Sequence, residues 1–508
     1  MLGTIIWDDE HATNEQVGIG VVFQDRDQMV RNRMVSIQDR ETQRVYLGRI
    51  AEGPFFPRMD SGQDGDSPRV FGRIEIQGEL KGTKTGDTSS RPAPGSPVHL
   101  LQDHEVGTLI GSSGNMVLGK VVGHDLVPLC LESQDKAVLP RNLGIFGTVG
   151  SGKSNTCQVV IEEAARAGWA IIVIDVEGEY TQMDAANEDP RAVEMLAELG
   201  RKPEGLKDLV VYHPASSPGE RKDGKPFTLR ISDFSGPVIA ELLEATAPER
   251  NALFESIDHF HSRNRTRLAI NEQEELVRLL EISPENKMPY TLFGLRERCS
   301  ERSSKSTPDL DFVGLGTKLM RLVHSQAFDE PSMPPLNVKE LLKPERVSVL
   351  DVSSASEVLQ NLITADVLRK TFACKMTQPD APPTLLVIEE AHVFISKDRI
   401  ASLNATLDML KTVTRRGRKR WFSVAFVSQQ PGHLPQEVFE LCNTRLVHNL
   451  RSTHNLETLM STAGDVSQSL WGRCPLLAPG EALVSSAQLR RPLIAQIRPA
   501  ASQRRFTK

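Results

Sequence analysis

The stretch from residue 143 to residue 180, LGIFGTVGSGKSNTCQVVIEEAARAGWAIIVIDVEGEY, decides the fold predicted for this chain of 508 residues. An apolar run leads into Gly147-x-x-x-x-Gly152-Lys153-Ser154, which has the Walker A spacing. An amphipathic segment and a second apolar run follow. This order predicts a strand, a phosphate-binding loop, a helix and a second strand.

The residue types in this loop suit the binding of a nucleotide phosphate. Glycines let consecutive backbone N–H groups surround an anion, and a helix that opens at Lys153 directs the positive end of its dipole at that anion. We expect Lys153 to reach the β- and γ-phosphates and the hydroxyl of Ser154 to bind Mg²⁺. The predicted nucleotide contacts are Gly147, Thr148, Val149, Gly150, Ser151, Gly152, Lys153, Ser154 and Asn155.

Composition narrows the class of protein. A net charge of −6 argues against a protein that coats nucleic acid with its whole surface, but it allows basic residues confined to a channel. No apolar run approaches the roughly 18 residues of a membrane span, and the first residues lack a basic leader, so we expect a cytoplasmic protein without a membrane partner. The six cysteines are scattered without a C-x-x-C pair, which predicts buried thiols rather than zinc ligands or disulfides.

The N-terminal part, residues 1–135, is rich in short β-like runs and lacks a long helical period, which predicts a small β-barrel. Two polar stretches, at 59–68 and 81–97, are predicted to be long hairpin loops. The predicted strands lie at 4–7, 17–23, 34–37, 44–47, 70–76, 98–101 and 116–122.

The remainder predicts an α/β core interrupted by helices. Residues 136–235 and 346–470 form the two parts of the core, and residues 236–345 form a helical insertion. Within the core, 347–351 is a predicted strand and 356–376 a predicted helix. Three apolar stripes at helical spacing support the insertion: Leu253, Ile257 and Phe260; Val277, Leu279 and Leu280; and Leu315, Leu319 and Leu322.

A second motif, TLLVIEEAH at residues 384–392, has the Walker B layout of a strand that ends in two acids. Glu389 occupies the magnesium-associated place, and Glu390 is the predicted base that polarises the attacking water. The acidic run at 175–180, DVEGEY, also follows a predicted strand. It either positions Mg²⁺ or a water, or forms a solvated acidic turn.

Polar and basic residues after the Walker B motif complete the candidate site. Gln429 follows the predicted strand at 421–427, where such enzymes place a γ-phosphate sensor. The basic run at 414–420 is either a solvated face or brings Arg415 or Arg416 to a phosphate. In the C-terminal segment, residues 471–508, every charged residue after Glu481 is basic. This segment is a disordered end, a DNA contact or a strap onto a neighbouring subunit, and we favour the strap.

With Walker A, D-x-x-G-E-Y, E-E-A-H, R-R-G-R-K, S-Q-Q-P and C-N-T-R in this order, the chain resembles the HerA family of hexameric DNA translocases, within the wider FtsK-like clan. The resemblance implies a HAS-barrel, a RecA-like P-loop ATPase core and a helical bundle. It further implies a homo-hexamer with ATP and Mg²⁺ between subunits and double-stranded DNA in the pore. Arg141 falls where the family has an arginine that reaches a neighbour's nucleotide, although an ordinary linker arginine fits the position too.

The resemblance also implies a partner effector, either a nuclease of the NurA type or another kind, or a sirtuin-like NAD hydrolase. The expected function is an ATP-driven double-stranded DNA translocase or helicase in DNA end processing or antiphage defence. The alternative is an ATPase ring that mainly assembles and activates its effector as a scaffold. A GTPase switch is disfavoured, because no N-K-x-D base-reading motif stands in the usual place.

Overall fold

The computed structural model describes residues 1–8, 15–56, 69–82, 84–86, 90–263, 290–304, 309–395, 410, 412–413 and 415–505. The chain divides into two compact units. The first unit comprises Met1–Val138, Phe146–Thr156 and Asn443–Arg498, and the second comprises Leu139–Ile145, Cys157–Cys442 and Pro499–Lys508.

Elements are numbered along the chain. The strands are β1 (Gly3–Ile5), β2 (Gln16–Val22), β3 (Met34–Gln38), β4 (Val45–Phe55), β5 (Arg69–Lys81), β6 (Lys84–Gly86), β7 (Pro97–Leu100), β8 (Met116–Val121), β9 (His124–Leu131), β10 (Leu143–Phe146), β11 (Ala170–Asp175), β12 (Leu209–Pro214), β13 (Lys225–Phe227), β14 (Val347–Asp351), β15 (Thr384–Ile388), β16 (Phe422–Ser428), β17 (Thr444–Val447), β18 (Glu481–Ser485) and β19 (Leu493–Ile497). The described α-helices are α1 (Asp103–Ile110), α2 (Lys153–Arg166), α3 (Pro190–Glu198), α4 (Gly236–Leu242), α5 (Ala247–Arg263), α6 (Leu292–Ser303), α7 (Leu310–His324), α8 (Val338–Leu341), α9 (Glu357–Thr377), α10 (Ala391–Ile395), α11 (Gln436–Glu440), α12 (Thr453–Met460) and α13 (Gln468–Trp471).

Six strands of the first unit close into a small β-barrel. They pair in the order β2-β1-β7-β3-β4-β5, and β5 pairs back with β2, while β6 extends β5 as a hairpin. Because side chains alternate between the two faces of a strand, each strand contributes every second residue to the interior. The barrel predicted from the sequence is confirmed. Its core includes Leu2, Ile5, Val17, Ile19, Val21, Val35, Ile37, Tyr46, Ile50, Val70, Ile74 and Val98.

A second antiparallel array of the first unit runs β17-β18-β19-β8-β9. It contains the strand predicted at 116–122, which the sequence analysis assigns to the barrel; that assignment is wrong. This pairing requires glycine at position 119, since a Cβ atom there would come within 2.0 Å of the Gln496 carbonyl oxygen of β19. Alternation in sequence shows that a segment is a strand but not which strand it pairs with.

The second unit is built on a sheet in the order β13-β12-β14-β11-β15-β16-β10. Strand β12 pairs in parallel with β13 and β14, strand β11 pairs in parallel with β14 and β15, and strand β15 pairs in parallel with β16. Every residue of β11, β14, β15 and β16 is buried, which is typical of a parallel sheet with both faces covered. The predicted α/β core of the RecA-like P-loop type is therefore confirmed.

The carboxyl ends of these parallel strands bring the polar residues of the second unit together. Asp175 at the end of β11 pairs in register with Asp351 at the end of β14, and Ile174 pairs with Ile388 of β15. Glu389 and Gln429 follow β15 and β16 directly. Ligands of open α/β sheets bind at this edge.

Helices α5, α6 and α7 of the second unit pack against one another. Leu253 and Ile257 are buried on α5, and Leu315 and Leu319 are buried on α7, as their helical spacing predicts. The stripe predicted at Val277, Leu279 and Leu280 lies outside the described residues, as does the loop predicted at 59–68.

The segment predicted as a basic tail has two different structures. In the first unit it supplies β18 and β19, whose residues are almost all buried. In the second unit residues 499–505 contact their own chain: the hydroxyl of Ser502 donates to Glu162 Oε1 over 2.7 Å, and Asn187 Nδ2 donates to the Ala500 carbonyl over 2.9 Å. The described part, up to residue 505, is therefore ordered against its own chain, and the strap onto a neighbouring subunit stays a prediction.

Two further expectations concern cysteines and membranes. All six cysteines are buried and none forms a disulfide, as predicted. No helix among the described residues has the length and apolar character that a membrane span requires.

The barrel contains one buried ion pair whose loss we expect to be costly. Arg49 Nη2 lies 2.5 Å from Glu75 Oε2, and Arg49 also donates to Asn32 Oδ1 over 2.9 Å and to Ser469 Oγ over 2.7 Å. Because Glu75→Ala leaves the guanidinium buried without its counter-charge, we expect the free energy of unfolding in urea to fall by about 3–5 kcal/mol. Glu79→Ala, on the same strand but half-buried, is the control; equal losses for both variants would contradict this prediction.

Candidate functional site

The phosphate loop of the first unit has the backbone that its glycines allow. Gly150 and Gly152 have positive φ angles of 75° and 112°. A Cβ atom on Gly147 would lie 2.5 Å from the Ser151 hydroxyl, so this position admits only glycine without rearrangement. Helix α2 begins at Lys153, which is 6% exposed, and Ser154 follows in its first turn.

Hydrogen bonds to Asn449, which lies after β17, and from Gly480, which lies just before β18, hold this loop in shape. The backbone N–H of Thr148 donates to the Asn449 carbonyl over 2.9 Å, and the Thr148 hydroxyl donates to the same oxygen over 3.0 Å. The Ser151 hydroxyl donates to the Thr148 carbonyl over 2.6 Å, and the Gly480 N–H donates to the Ser151 carbonyl over 3.0 Å. These four hydrogen bonds fix the shape of the loop.

His448 packs beneath the loop and has a defined tautomer. Its Nδ1 lies 2.8 Å from the Glu481 carbonyl oxygen, which only accepts, so Nδ1 carries the proton. Its Nε2 therefore accepts from the Thr156 hydroxyl over 2.8 Å. The sequence analysis did not find His448 or Asn449; the available signal was that two polar residues follow the short strand β17.

Neutral His448 makes the stability of the loop region depend on pH. Burial lowers the pKa of His448 to about 4, and the charge of Lys153 acts in the same direction. In the unfolded chain this histidine takes up a proton near pH 6.5, whereas in the folded protein it does so only near pH 4. The free energy of unfolding is therefore highest near pH 7 and decreases as the pH falls. Between pH 7 and 5 we expect wild type to lose about 2 kcal/mol more than His448→Gln in urea unfolding. Parallel pH profiles for the two proteins would contradict this assignment.

The loop also meets the requirements of a phosphate group. Among the described residues, none accepts a hydrogen bond from the backbone N–H groups of Val149, Gly150 or Gly152. Such N–H groups at a helix N-terminus bind anions. Asn155, a predicted nucleotide contact, donates its Nδ2 to the Arg498 carbonyl over 2.8 Å, and its contact with a nucleotide stays a prediction.

The second unit holds Glu389 in a buried acidic turn. Glu389 is 3% exposed, and its Oε1 accepts from the Tyr180 hydroxyl over 3.0 Å. Its Oε2 is buried, and no described residue donates a hydrogen bond to it. Burial, together with the negative charges of Asp175 and Glu179, raises the pKa of Glu389 well above its usual value. A divalent cation at Oε2 would reverse that effect and supply the missing partner.

This geometry fits Mg²⁺ delivered with a nucleotide. No three His, Cys, Asp or Glu side chains of the described chain form a cluster that would hold a metal alone. Mg²⁺ is usually bound through one or two carboxylates together with substrate phosphates. Glu389 therefore suits a cation that is shared with the phosphates of a nucleotide rather than held by the protein alone.

Glu390 adopts a strained backbone and is the centre of a polar cluster in the second unit. Its φ angle is 43°, a left-handed conformation that costs non-glycine residues about 1–3 kcal/mol and tends to mark functional sites. Gln429 Nε2 donates to Glu390 Oε1 over 2.6 Å, and His392 Nδ1 lies 3.2 Å from Glu390 Oε2. Two predicted site residues, Glu390 and Gln429, therefore meet directly.

The acidic run after β11 forms a turn around the buried Asp175, and the side chain of Glu177 in this turn is exposed. The carboxylate of Asp175 is buried and accepts three backbone N–H groups, from Gly178, Glu179 and Tyr180, over 2.8, 3.1 and 2.9 Å. Partial desolvation and the negative charges of Glu390 and Glu179 raise the pKa of Glu177.

The three candidate arginines of the second unit lie in two places. Arg141 ends a short 3-10 turn at Leu139–Arg141, and its Nε is buried with no acceptor among the described residues. Arg415 and Arg416 are both exposed and precede the 3-10 turn Gly417–Arg420.

Comparison with known proteins identifies the family. A sequence model of the central domain of helicase HerA matches residues 105–371, more than half of the chain. The chain belongs to the HerA helicase family. Membership in the HerA family makes it a P-loop ATPase, in agreement with the fold and with the phosphate loop.

Individual HerA relatives are distant but extend over most of the chain. The DNA double-strand break repair helicase HerA of Sulfolobus acidocaldarius is 23% identical over 436 residues, which cover 84% of this chain and 78% of that protein. The probable DNA double-strand break repair helicase HerA of Methanocaldococcus jannaschii is 22% identical and covers 85% and 86%. The solved structure of VirB4 of Thermoanaerobacter pseudethanolicus has a TM-score of 0.52 at 16% identity, over 76% of this chain and 96% of that one, which shows a shared fold.

Proposed function

We propose that this HerA-family ATPase is a hexameric motor that uses Mg²⁺-ATP to translocate or unwind double-stranded DNA. The observation that carries the proposal is the pair of acids after β15: Glu390, with its strained backbone, accepts a hydrogen bond from Gln429, and the adjacent Glu389 has a buried oxygen without a donor among the described residues. This is the arrangement that ATP hydrolysis requires, and the relatives named above are DNA double-strand break repair helicases.

Each candidate residue has a chemical role in this proposal. The N–H groups of the loop from Gly147 to Ser154 cradle the phosphates, and Lys153 neutralises the charge that develops on the β- and γ-phosphates. Ser154 and Glu389 are the residues that would hold Mg²⁺, which would supply positive charge to the phosphates. Glu390 orients the attacking water and takes its proton.

Gln429 has a role that depends on its bond to Glu390. Because its amide donates to Glu390 Oε1, a change in the position of Gln429 on binding of the γ-phosphate also changes the orientation of the base. We assign Gln429 as the sensor that couples occupancy of the site to the readiness of Glu390.

The hexamer supplies the remaining charge. Arg141, and Arg415 or Arg416, act in trans on the nucleotide of a neighbouring subunit, where such arginines accelerate hydrolysis by about 10³ to 10⁵ in well-studied enzymes. The unpartnered Nε of Arg141 and the exposure of Arg415 and Arg416 support this role. The ring surrounds the duplex and works with a partner nuclease or a sirtuin-like NAD hydrolase, in DNA end processing or antiphage defence.

A second candidate is a ring whose ATPase mainly organises and activates that effector. The net charge of −6 favours it, because a motor that grips DNA over a large surface is usually basic. Effector activity that persists when hydrolysis is blocked would identify the scaffold.

The decisive experiment combines mass and DNA dependence. With ATP, light scattering is expected to give six times the chain mass of 56.2 kDa. Linear duplex DNA is expected to raise the rate of ATP hydrolysis, and this stimulation should fall as salt increases, because phosphate contacts release counterions. A monomer whose hydrolysis ignores DNA at every salt concentration would refute the motor.

A further inference from the structure

Tyr180 joins the turn after β11 to the carboxyl that follows β15. Its ring is fully buried, and its hydroxyl donates to Glu389 Oε1 over 3.0 Å. The carboxyl of Glu389 consequently has one oxygen fixed by the protein, while its Oε2 is buried without a hydrogen-bond donor among the described residues. A ligand that needs one carboxylate oxygen in one orientation would find it prepared.

The turn that carries Tyr180 is itself fixed from the inside. Asp175 accepts the N–H groups of Gly178, Glu179 and Tyr180, which closes the turn around its buried carboxylate. Gly178 has a φ angle of 71°, so the turn uses a conformation that favours glycine. The backbone that supports the Tyr180 ring therefore has little freedom to shift.

Residues 499–505 fix the same turn from the outside. The backbone N–H of Arg505 donates to the Glu179 carbonyl over 3.0 Å, and Arg504 Nη1 lies 3.7 Å from the Glu179 carboxylate. The guanidinium of Arg505 also forms an ion pair with Glu220. The turn between β11 and Tyr180 is thus held between Asp175 and this distant part of the chain.

The segment is anchored independently of the turn. Ser502 donates its N–H and its hydroxyl to Glu162 Oε1 over 2.8 and 2.7 Å, and Gln158 Nε2 donates to the Ser502 carbonyl over 2.8 Å. The Gln503 N–H donates to the Ala185 carbonyl over 2.8 Å. These bonds make residues 499–505 a rigid support rather than a loose end.

We propose that Tyr180 is a positioning residue for the cation site: supported by residues 499–505, it fixes the carboxyl of Glu389 through Oε1 and so leaves Oε2 in one orientation to bind Mg²⁺. This inference rests on the proposed function and adds to it the elements that orient the metal ligand. Removing a hydrogen-bond partner that orients a metal ligand typically lowers metal affinity by about 10- to 100-fold.

The test measures the binding of a fluorescent ADP analogue to the full chain in EDTA and across a series of MgCl₂ concentrations. Tyr180→Phe removes only the hydroxyl, so we expect the affinity for the ADP analogue in EDTA to be unchanged. The MgCl₂ concentration that gives half of the full change in this affinity should increase about tenfold. Tyr212→Phe is the matched control, because the Tyr212 hydroxyl is buried in the same unit without a hydrogen-bond partner among the described residues. It should behave as wild type.

A pair of substitutions tests the outer support separately. Arg505→Pro removes the N–H that bonds the Glu179 carbonyl, whereas Arg505→Ala keeps that N–H and loses only the ion pair. We expect the MgCl₂ concentration that gives half of the full change in affinity to rise several-fold in the proline variant and to change little in the alanine variant. If both variants match wild type, the support by residues 499–505 is refuted.

The outcomes separate this inference from the function beneath it. Wild-type binding that responds to MgCl₂, with the same response in Tyr180→Phe, overturns the inference alone. An affinity that Tyr180→Phe weakens equally in EDTA also overturns it, since the hydroxyl would then serve the fold rather than the cation. Wild-type binding that ignores MgCl₂ overturns the proposed cofactor and the inference with it.

Discussion

Glu390→Gln is expected to lower the rate of ATP hydrolysis by about 10² to 10⁴ while leaving nucleotide binding intact. The carboxylate is the proposed base, and an amide of the same shape has no lone pair basic enough to take a proton from water. The substitution preserves the polar cluster, because an amide oxygen still accepts from Gln429 Nε2. The side chain at 390 keeps its length, so the backbone at φ 43° is no more strained than before.

A matched control separates the charge from the backbone. Glu345 is a second glutamate with a positive φ angle, 64°, but it is exposed in the loop before β14. Glu345→Gln should therefore hydrolyse ATP at the wild-type rate. Single-turnover hydrolysis and binding of the fluorescent ADP analogue are measured for both variants. If Glu390→Gln retains more than a tenth of the wild-type rate, Glu390 is not the base.

Local sequence determines much of the parallel core, and the predictions there were accurate. The strand predicted at 347–351 matches β14, and the helix predicted at 356–376 matches α9 to within one residue at each end. Continuous apolar runs between turn residues identify such buried strands because both of their faces need apolar side chains. The carboxyl ends of those strands then bring Asp175, Glu389 and Gln429 to one edge by topology alone.

Pairing between distant segments determines the rest, and the sequence analysis missed it for that reason. Strand β8 alternates as a barrel strand does, and only its partner β19, more than 370 residues away, reveals its sheet. Helix α1 and strand β9 are short, and the sequence analysis did not predict them. Residues 499–505 are ordered by buried hydrogen bonds to Glu162 and Gln158. No local sequence pattern predicts these contacts.

The same limit applies to the residues that support the site. His448 belongs to no motif, and the D-x-x-G-E-Y motif does not show that the Tyr180 hydroxyl bonds Glu389, because both side chains act through hydrogen bonds to residues far away in the sequence. The motif residues were recognisable because phosphate and metal chemistry restrict the residue types and their spacing. Supporting residues are restricted only by the geometry of their partners, which is why His448 and Asn449 became evident from the structure alone.

Lys153→Met is expected to weaken nucleotide binding at least tenfold and to abolish measurable hydrolysis. Lys153 is 6% exposed, so its methylene stem packs within the first unit, and methionine retains that apolar volume. The lost ammonium group contributes charge-assisted hydrogen bonds to the phosphates, each worth about 1.5–3 kcal/mol, and the lower value already exceeds a factor of ten in Kd. The deficit should be larger for ATP than for ADP, because Lys153 is assigned to the γ-phosphate as well as to the β-phosphate.

Lys136→Met provides the control for this substitution, because Lys136 is exposed in the same unit and precedes the phosphate loop. Both variants should unfold at the urea concentration of wild type, since neither exchange opens a cavity. The affinities of both variants for ATP and ADP are then measured. If only Lys153→Met binds more weakly, and the loss of affinity is greater for ATP than for ADP, the ammonium group of Lys153 contacts the γ-phosphate. Equal affinities of Lys153→Met and wild type for ATP would mean that the loop binds no nucleotide through Lys153, and the proposed catalytic cycle would lose its first step.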